Sequence, residues 1–125
     1  MAQKILIIDD DKINVALVKF GLAESGYEVT AAYDGDEGLK VFDAKKPDLI
    51  VLDVHMPRMN GFEFMTELRK RHGYQATPVI MLTANETMED VFKLEGVKGY
   101  FIKPVILPEL VETIRQCLKP PRFTE

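Results

Sequence analysis

Reactive side chains stand directly after four short apolar runs: Asp9 and Asp10 after Ile5 to Ile8, Asp53 after Leu49 to Leu52, Thr83 after Val79 to Leu82, and Lys103 with Pro104 after Gly99 to Ile102. A carboxylate beside a bound cation, a lysine and a hydroxyl has the parts that phosphoryl transfer needs. These are a nucleophile, neutralisation for the phosphoryl oxygens and a hydrogen-bond donor. Asp53 is the candidate nucleophile, Thr83 the donor and Lys103 the fixed cation. Singly, each has a plainer reading: Asp9 to Asp11 as a turn with a helix cap, Lys103 as a solvated lysine, Pro104 as a strand terminator. Their joint occurrence at the ends of similar runs weighs strongly against the plainer readings.

The groups meet only if the runs are parallel strands. Five β-branched runs recur, at Lys4 to Ile8, Glu28 to Ala32, Leu49 to Leu52, Val79 to Leu82 and Gly99 to Ile102, each followed by a stretch of helical periodicity. Ile13, Leu17, Phe20 and Leu22 to Ala23 mark the apolar stripe of the first helix, capped by Asp11 and ended by Gly26. Leu39 and Phe42 mark the second, starting near Asp34 to Asp36. Met65 and Leu68 mark the third, and Met88, Val91, Phe92 and Glu95 a shorter fourth. Leu107, Leu110, Val111, Ile114 and Leu118, with Pro108 in the first turn, mark the fifth. Ile5 to Ile8 and Leu49 to Leu52 lack alternation and read as strands covered on both faces, which gives a doubly wound α/β sandwich with a parallel sheet. In such sheets ligands bind beyond the carboxyl ends of the strands, where all these groups stand.

Three carboxylates within about 5 Å would repel by on the order of 3 kcal/mol per pair at an effective dielectric of ~20. Lys103 offers one positive charge. A hard divalent cation resolves the rest, and Mg²⁺ takes one or two carboxylates together with waters and a phosphate oxygen. Zinc is disfavoured without a Cys and His cluster. After Asp53 come Val54-His55-Met56-Pro57-Arg58-Met59-Asn60-Gly61, a turn-rich loop whose Pro, Asn and Gly are expected to fix an unusual backbone and offer a carbonyl oxygen to the metal.

With 125 residues, 46% hydrophobic and 29% charged, the chain has the size and composition of one compact domain. Its apolar runs are too short to span a bilayer, and its start has no signal-peptide pattern, so a cytoplasmic location is expected. Twenty acidic against 16 basic residues give a formal charge of −4 with no basic run, which disfavours direct nucleic-acid binding. The lone Cys117 reads as an ordinary buried or half-buried residue. Residues 1–119 are read as one domain, with 120–125 as a tail or linker remnant because Pro120-Pro121 cannot continue a helix.

From Lys4 to about Leu118 the sequence resembles the receiver domain of two-component response regulators. The resemblance rests on Asp9-Asp10 after an apolar strand, Asp53 heading Asp-x-x-Met-Pro-x-x-Asn-Gly, Thr83-Ala84, Tyr100 three residues before Lys103, and Lys103-Pro104. It implies a flavodoxin-like (βα)₅ fold with strand order 2-1-3-4-5. It also implies phosphorylation of Asp53 from a phosphohistidine, with Mg²⁺, or Mn²⁺ in its place, bound by Asp10, Asp53 and the main-chain carbonyl of His55. Asp9 would act mainly through water. Thr83 would hydrogen-bond the phosphoryl group, Lys103 would pair with it, the Lys103-Pro104 bond would be cis, and Tyr100 would turn inward on activation. The implied partners are a histidine kinase or histidine phosphotransfer protein and a downstream target or effector domain. The implied output is a changed face of the fourth helix, fifth strand and fifth helix, with slow self-hydrolysis rather than a dedicated enzymatic activity.

One departure stands out. Only 12 residues lie between Thr83 and Gly96, so the fourth helix or its preceding loop must be shortened. His55 and Asn85 occupy positions that tune phosphoryl lifetime in the family, and His55 and His72 are expected at the surface. Three other readings compete. A flavin protein of similar architecture would need a Ser/Thr/Gly-rich phosphate cradle where Asp9-Asp10-Asp11 would repel the phosphate. An aspartyl-phosphate phosphatase would resemble Asp-x-Asp at the nucleophile, whereas Val54-His55 follows Asp53. A receiver-like interaction module that is never phosphorylated would not need the complete acidic set.

Overall fold

The computed structural model describes residues 2–56, 58–71, 73–84 and 87–118, without the side chains of Asp90 and Leu94. The expectations for His72, Asn85 and the 120–125 tail lie outside the described residues. Five strands, β1 (Lys4–Ile8), β2 (Glu28–Ala32), β3 (Leu49–Leu52), β4 (Val79–Thr83) and β5 (Gly99–Ile102), alternate with helices α1 (Lys12–Glu24), α2 (Gly35–Lys45), α3 (Gly61–Arg69), α4 (Glu89–Leu94) and α5 (Leu107–Leu118). A 3₁₀ turn at Tyr74–Ala76, which the sequence reading does not include, precedes β4. All pairings are parallel and the strand order is 2-1-3-4-5.

Side chains alternate across the sheet and so feed two cores. Leu6, Ile8, Ile50, Leu52 and Met81 face α2, α3 and α4, where Phe42, Phe64, Leu68 and Phe92 are buried with them. Ile5, Ile7, Leu49, Val51, Ile80 and Leu82 face α1 and α5, meeting Val15, Val18, Leu22, Leu110 and Ile114. Central strands β1 and β3 are therefore apolar at consecutive positions because each residue has a helix layer to enter. The edge strands β2 and β5 are only half-buried over most of their length.

Caps fix where the helices begin. Asp11 accepts from the Ile13 and Asn14 N–H groups, Asp34 accepts from Glu37 N–H, and Asn60 with Glu63 forms a reciprocal capping box at α3. The loop after Asp53 differs from expectation. Asn60 has extended backbone as the α3 cap, and Gly61 opens that helix, where a Cβ would approach the Val54 Cα to 3.1 Å. The left-handed residue among those described in this loop is Arg58, at φ 67°.

The apolar stripe expected for α1 is corrected except at Leu22, which is buried. Ile13, Leu17 and Phe20 are exposed, and the buried face is Asn14, Val15, Val18 and Leu22. Lys12 to Ala23 carries apolar residues on two faces, so helical periodicity alone does not say which one the sheet covers. The entry point of the chain from β1 decides it. Within the short segment before Gly96, α4 has six residues. Leu17 and Leu22, 54% and 0% exposed, test the corrected orientation within one helix. Leu22→Ala is expected to cost about 2–5 kcal/mol of unfolding free energy and Leu17→Ala at most about 0.5 kcal/mol, read by urea denaturation.

Candidate functional site

Strand register brings the chemistry together. Ile8 pairs with Leu52, so the next residues, Asp9 and Asp53, leave adjacent strands side by side, and Asp53 N–H donates to the Ile8 carbonyl at 3.0 Å. At the other side of β4, Thr83 pairs with Ile102, and Lys103 N–H donates to the Thr83 carbonyl at 2.9 Å. The Lys103-Pro104 bond is cis.

One carboxylate oxygen from each of Asp9, Asp10 and Asp53 lies within 4.8 Å of the others. Asp9 and Asp53 are buried and Asp10 is exposed. The Lys103 ammonium lies 2.9 Å from Asp9 Oδ2, 3.3 Å from Asp53 Oδ2 and 4.0 Å from Asp11 Oδ2. Among the described residues it is the one cation paired with these acids. Asp9 receives two further bonds at 2.9 Å, from the Asp11 N–H to Oδ1 and from the Asn14 amide to Oδ2. Asp53 Oδ1 accepts a longer bond, 3.3 Å, from the His55 N–H.

Burial pushes the Asp9 carboxyl upward, against the Lys103 and Asp11 hydrogen bonds, while the Asp53 charge raises it further. Burial alone would lower Lys103, but the hydrogen bond to Asp9 and the charges of Asp53 and Asp9 outweigh it and hold the ammonium above its ordinary range. The same contact thus reads oppositely at its two ends. Desolvation wins at the deeper carboxylate, and two negative neighbours win at the lysine.

The donor set fits a hard cation. The cluster offers only carboxylate oxygens, and three acids against one lysine leave negative charge uncompensated. Asp9 has three protein donors on an acceptor with about four lone-pair sites, so Asp10 and Asp53 have more capacity for direct ligation. Thr83 is fully buried at the end of β4. Tyr100 is half-buried on β5, its ring 6.2 Å from Phe92, which stacks on Phe62 at 4.3 Å. Burial, with the charges of Glu89 and Asp53, pushes its phenol upward. His55 is exposed. The sequence reading did not single out Asn14. Its signal was a polar residue on the face of α1 that also carries Val15, Val18 and Leu22, visible only once that face is known to be buried.

Residues 5–115 match the family model described as response regulator receiver domain. The chain is 40% identical over 121 residues to the alkaline phosphatase synthesis transcriptional regulatory protein PhoP of Bacillus subtilis, covering 95% of this chain and 50% of that protein. The chain therefore spans about half the length of this curated relative. Among solved structures, chemotaxis response regulator CheY4 of Vibrio cholerae superimposes with a TM-score of 0.85 at 35% identity, covering 94% of this chain and 100% of that one. Response regulator protein TrrA of Thermotoga maritima, solved in complex with Mg²⁺ and BeF, gives a TM-score of 0.84 at 33% identity, covering 93% of this chain and 99% of that one.

A cation that binds the native cluster stabilises the fold by RT ln(1 + [L]/Kd), about 1.4 kcal/mol at tenfold excess over Kd. Mg²⁺ is expected to raise the thermal midpoint of the wild type by a few degrees in calorimetry. Asp10→Ala should remove that shift, and a retained shift would mean the metal lies elsewhere.

Proposed function

This chain belongs to the response regulator receiver family of two-component signalling, and on that premise we propose that Asp53 is its phosphoacceptor, charged from a protein phosphohistidine. Receiver domains are phosphoacceptors rather than dedicated enzymes, and they act between histidine kinases and downstream effectors. The observation that carries the assignment to Asp53 is its position: a buried carboxylate 3.3 Å from Lys103, within the three-acid cluster at the carboxyl edge of the sheet.

In this reading Asp10, Asp53 and the main-chain carbonyl of His55 hold Mg²⁺, or Mn²⁺ in its place, with Asp9 acting mainly through water. The Mg²⁺ in the TrrA complex supports this choice of ion. When bound, the ion supplies charge neutralisation for the acids and the phosphoryl oxygens. An Asp53 carboxylate oxygen attacks phosphorus, the phosphorus–nitrogen bond of the donor breaks, and its electron pair stays on the imidazole. Lys103, already between Asp9 and Asp53, pairs with the arriving phosphoryl oxygens, and the Thr83 hydroxyl donates to them. Water later cleaves the acyl phosphate and regenerates Asp53 in a slow self-hydrolysis.

The phosphoryl group biases α4, β5 and α5 between two arrangements through its contacts with Thr83 and Lys103, with Tyr100 turning inward. That face presents the exposed Val91 and Ile102 to a protein target or effector domain. On the donor side, the exposed row Ile13, Leu17 and Phe20 starts two residues beyond Asp11 at the pocket rim. Exposed Ile106 stands just before Leu107, which packs against Gly21 of α1. A protein donor that inserts its phosphohistidine would cover this row, whereas a small phosphodonor would not touch it.

Intact mass after incubation with acetyl phosphate tests the chemistry. A Mg²⁺-dependent gain of one phosphoryl group is expected, absent in Asp53→Asn. No gain, with a cognate phosphohistidine donor also failing, would favour a phosphorylation-independent interaction module. For the docking row, Leu17→Glu should slow transfer from a phosphohistidine protein about tenfold or more, as a charge introduced into an apolar contact does. Labelling by acetyl phosphate should stay at the wild-type rate, and an equal loss with both donors would sink the docking assignment.

A further inference from the structure

Asn14 is a polar residue on a face of α1 that otherwise buries Val15, Val18 and Leu22, and it is only 8% exposed. Among the described residues its side chain makes one hydrogen bond, a buried one of 2.9 Å to Asp9 Oδ2. A carboxylate can only accept, so the amide nitrogen must be the atom that faces it. A bond from a neutral donor to an ionised acceptor away from water is among the stronger ones available to a side chain.

The same Asp9 oxygen receives the Lys103 ammonium at 2.9 Å, and that ammonium reaches Asp53 Oδ2 at 3.3 Å. Four side chains therefore form one chain of contacts from the first turn of α1 to the acceptor: Asn14, Asp9, Lys103, Asp53. The remaining Asp9 oxygen is fixed by the Asp11 N–H. With donors on both oxygens the carboxylate plane is set, and Lys103 meets it at a defined place between two acids. Without the amide, Asp9 Oδ2 would be held by Lys103 alone. The deeper carboxylate would then draw the ammonium away from Asp53.

We infer that Asn14 is a positioning residue of the phosphoacceptor site: through Asp9 it holds Lys103 within reach of Asp53 and shapes the acidic cluster for its cation. The inference rests on the phosphoacceptor reading and adds to it a residue that touches neither metal nor phosphoryl group. A bond that merely fastened α1 to β1 would leave metal affinity untouched in any variant that still folds. A positioning bond would not, and partners one step removed from a metal site commonly shift affinity by about 10- to 100-fold.

Asn14→Leu keeps the side-chain size and removes the donor. In the full chain it is expected to weaken Mg²⁺ binding about tenfold in titration calorimetry. The Mg²⁺ concentration for half-maximal labelling by acetyl phosphate should rise by a similar factor, more than the rate at saturating Mg²⁺ falls. Unchanged affinity in folded Asn14→Leu overturns the inference. A second measurement, on the wild type, does not depend on the variant folding: the Asn14 side-chain amide should give a downfield, exchange-protected proton in ¹⁵N NMR that shifts when Mg²⁺ is added. An exchange-averaged amide at the usual position, or one indifferent to Mg²⁺, likewise overturns it. Failure of the underlying reading is distinguishable, because the wild type itself would then neither bind Mg²⁺ nor gain mass.

Discussion

Like-charge crowding at the carboxyl edge of the sheet is the constraint on which this site depends. Parallel register sets Asp9 and Asp53 on neighbouring strands, and Asp10 adds a third acid within 4.8 Å. Pairs of such charges repel by on the order of 3 kcal/mol at ~5 Å and an effective dielectric of ~20, against a typical total stability of roughly 5–15 kcal/mol. The fold answers with graded compensation. The deepest acid, Asp9, has three donors, Asp53 has Lys103 and a long backbone bond, and Asp10 stays in contact with solvent. Compensation is thus fullest where water is scarcest and least where an incoming cation would be met.

That gradient also supports the different roles proposed for three chemically alike residues. A carboxylate already holding an ammonium, an amide and a backbone N–H has little capacity left for a ligand. A carboxylate with spare lone pairs beside the same ammonium can act as nucleophile and ligand. Asp-Asp at the end of one strand and a lone Asp at the end of another would be interchangeable on charge alone. What distinguishes them is depth below the edge and the helix cap that follows, since Asp11 both caps α1 and turns its own N–H onto Asp9.

Much of this arrangement was legible in the sequence because strands signal themselves locally. The runs Ile5 to Ile8 and Leu49 to Leu52 are short, rich in β-branched residues and apolar at every position, as a doubly covered strand requires, and the reactive residues stand one step past such runs. Strand order came from family resemblance, since periodicity carries no topology. The face of α1 was not legible. Ile13, Leu17 and Phe20 make as good a helical stripe as Val15, Val18 and Leu22, and the choice belongs to the way the chain leaves β1. Asn14 was hidden by the same ambiguity. Arg58 was missed because a left-handed backbone at a non-glycine residue leaves no compositional mark.

The region proposed to read out the site contains the shortest of the five α-helices. Six residues are too few for α4 to hold its helical form through its own hydrogen bonds, so its stability must come from packing. Among its described side chains the fully buried anchor is Phe92, stacked on Phe62 of α3 and set against Tyr100 of β5, and an ion pair joins Arg69 of α3 to Glu95 just past its end. Its outward residue Val91 is exposed, and its N-cap residue, Met88, makes no capping hydrogen bond through its side chain. A six-residue helix that depends on packing is easier to displace than β4, which is buried at every position. Thr83 ends that rigid strand, and Phe92 touches the Tyr100 ring on the next. In the proposed switch, a change of charge at Asp53 would meet a stiff strand at Thr83 and a short helix that depends on packing beyond Tyr100.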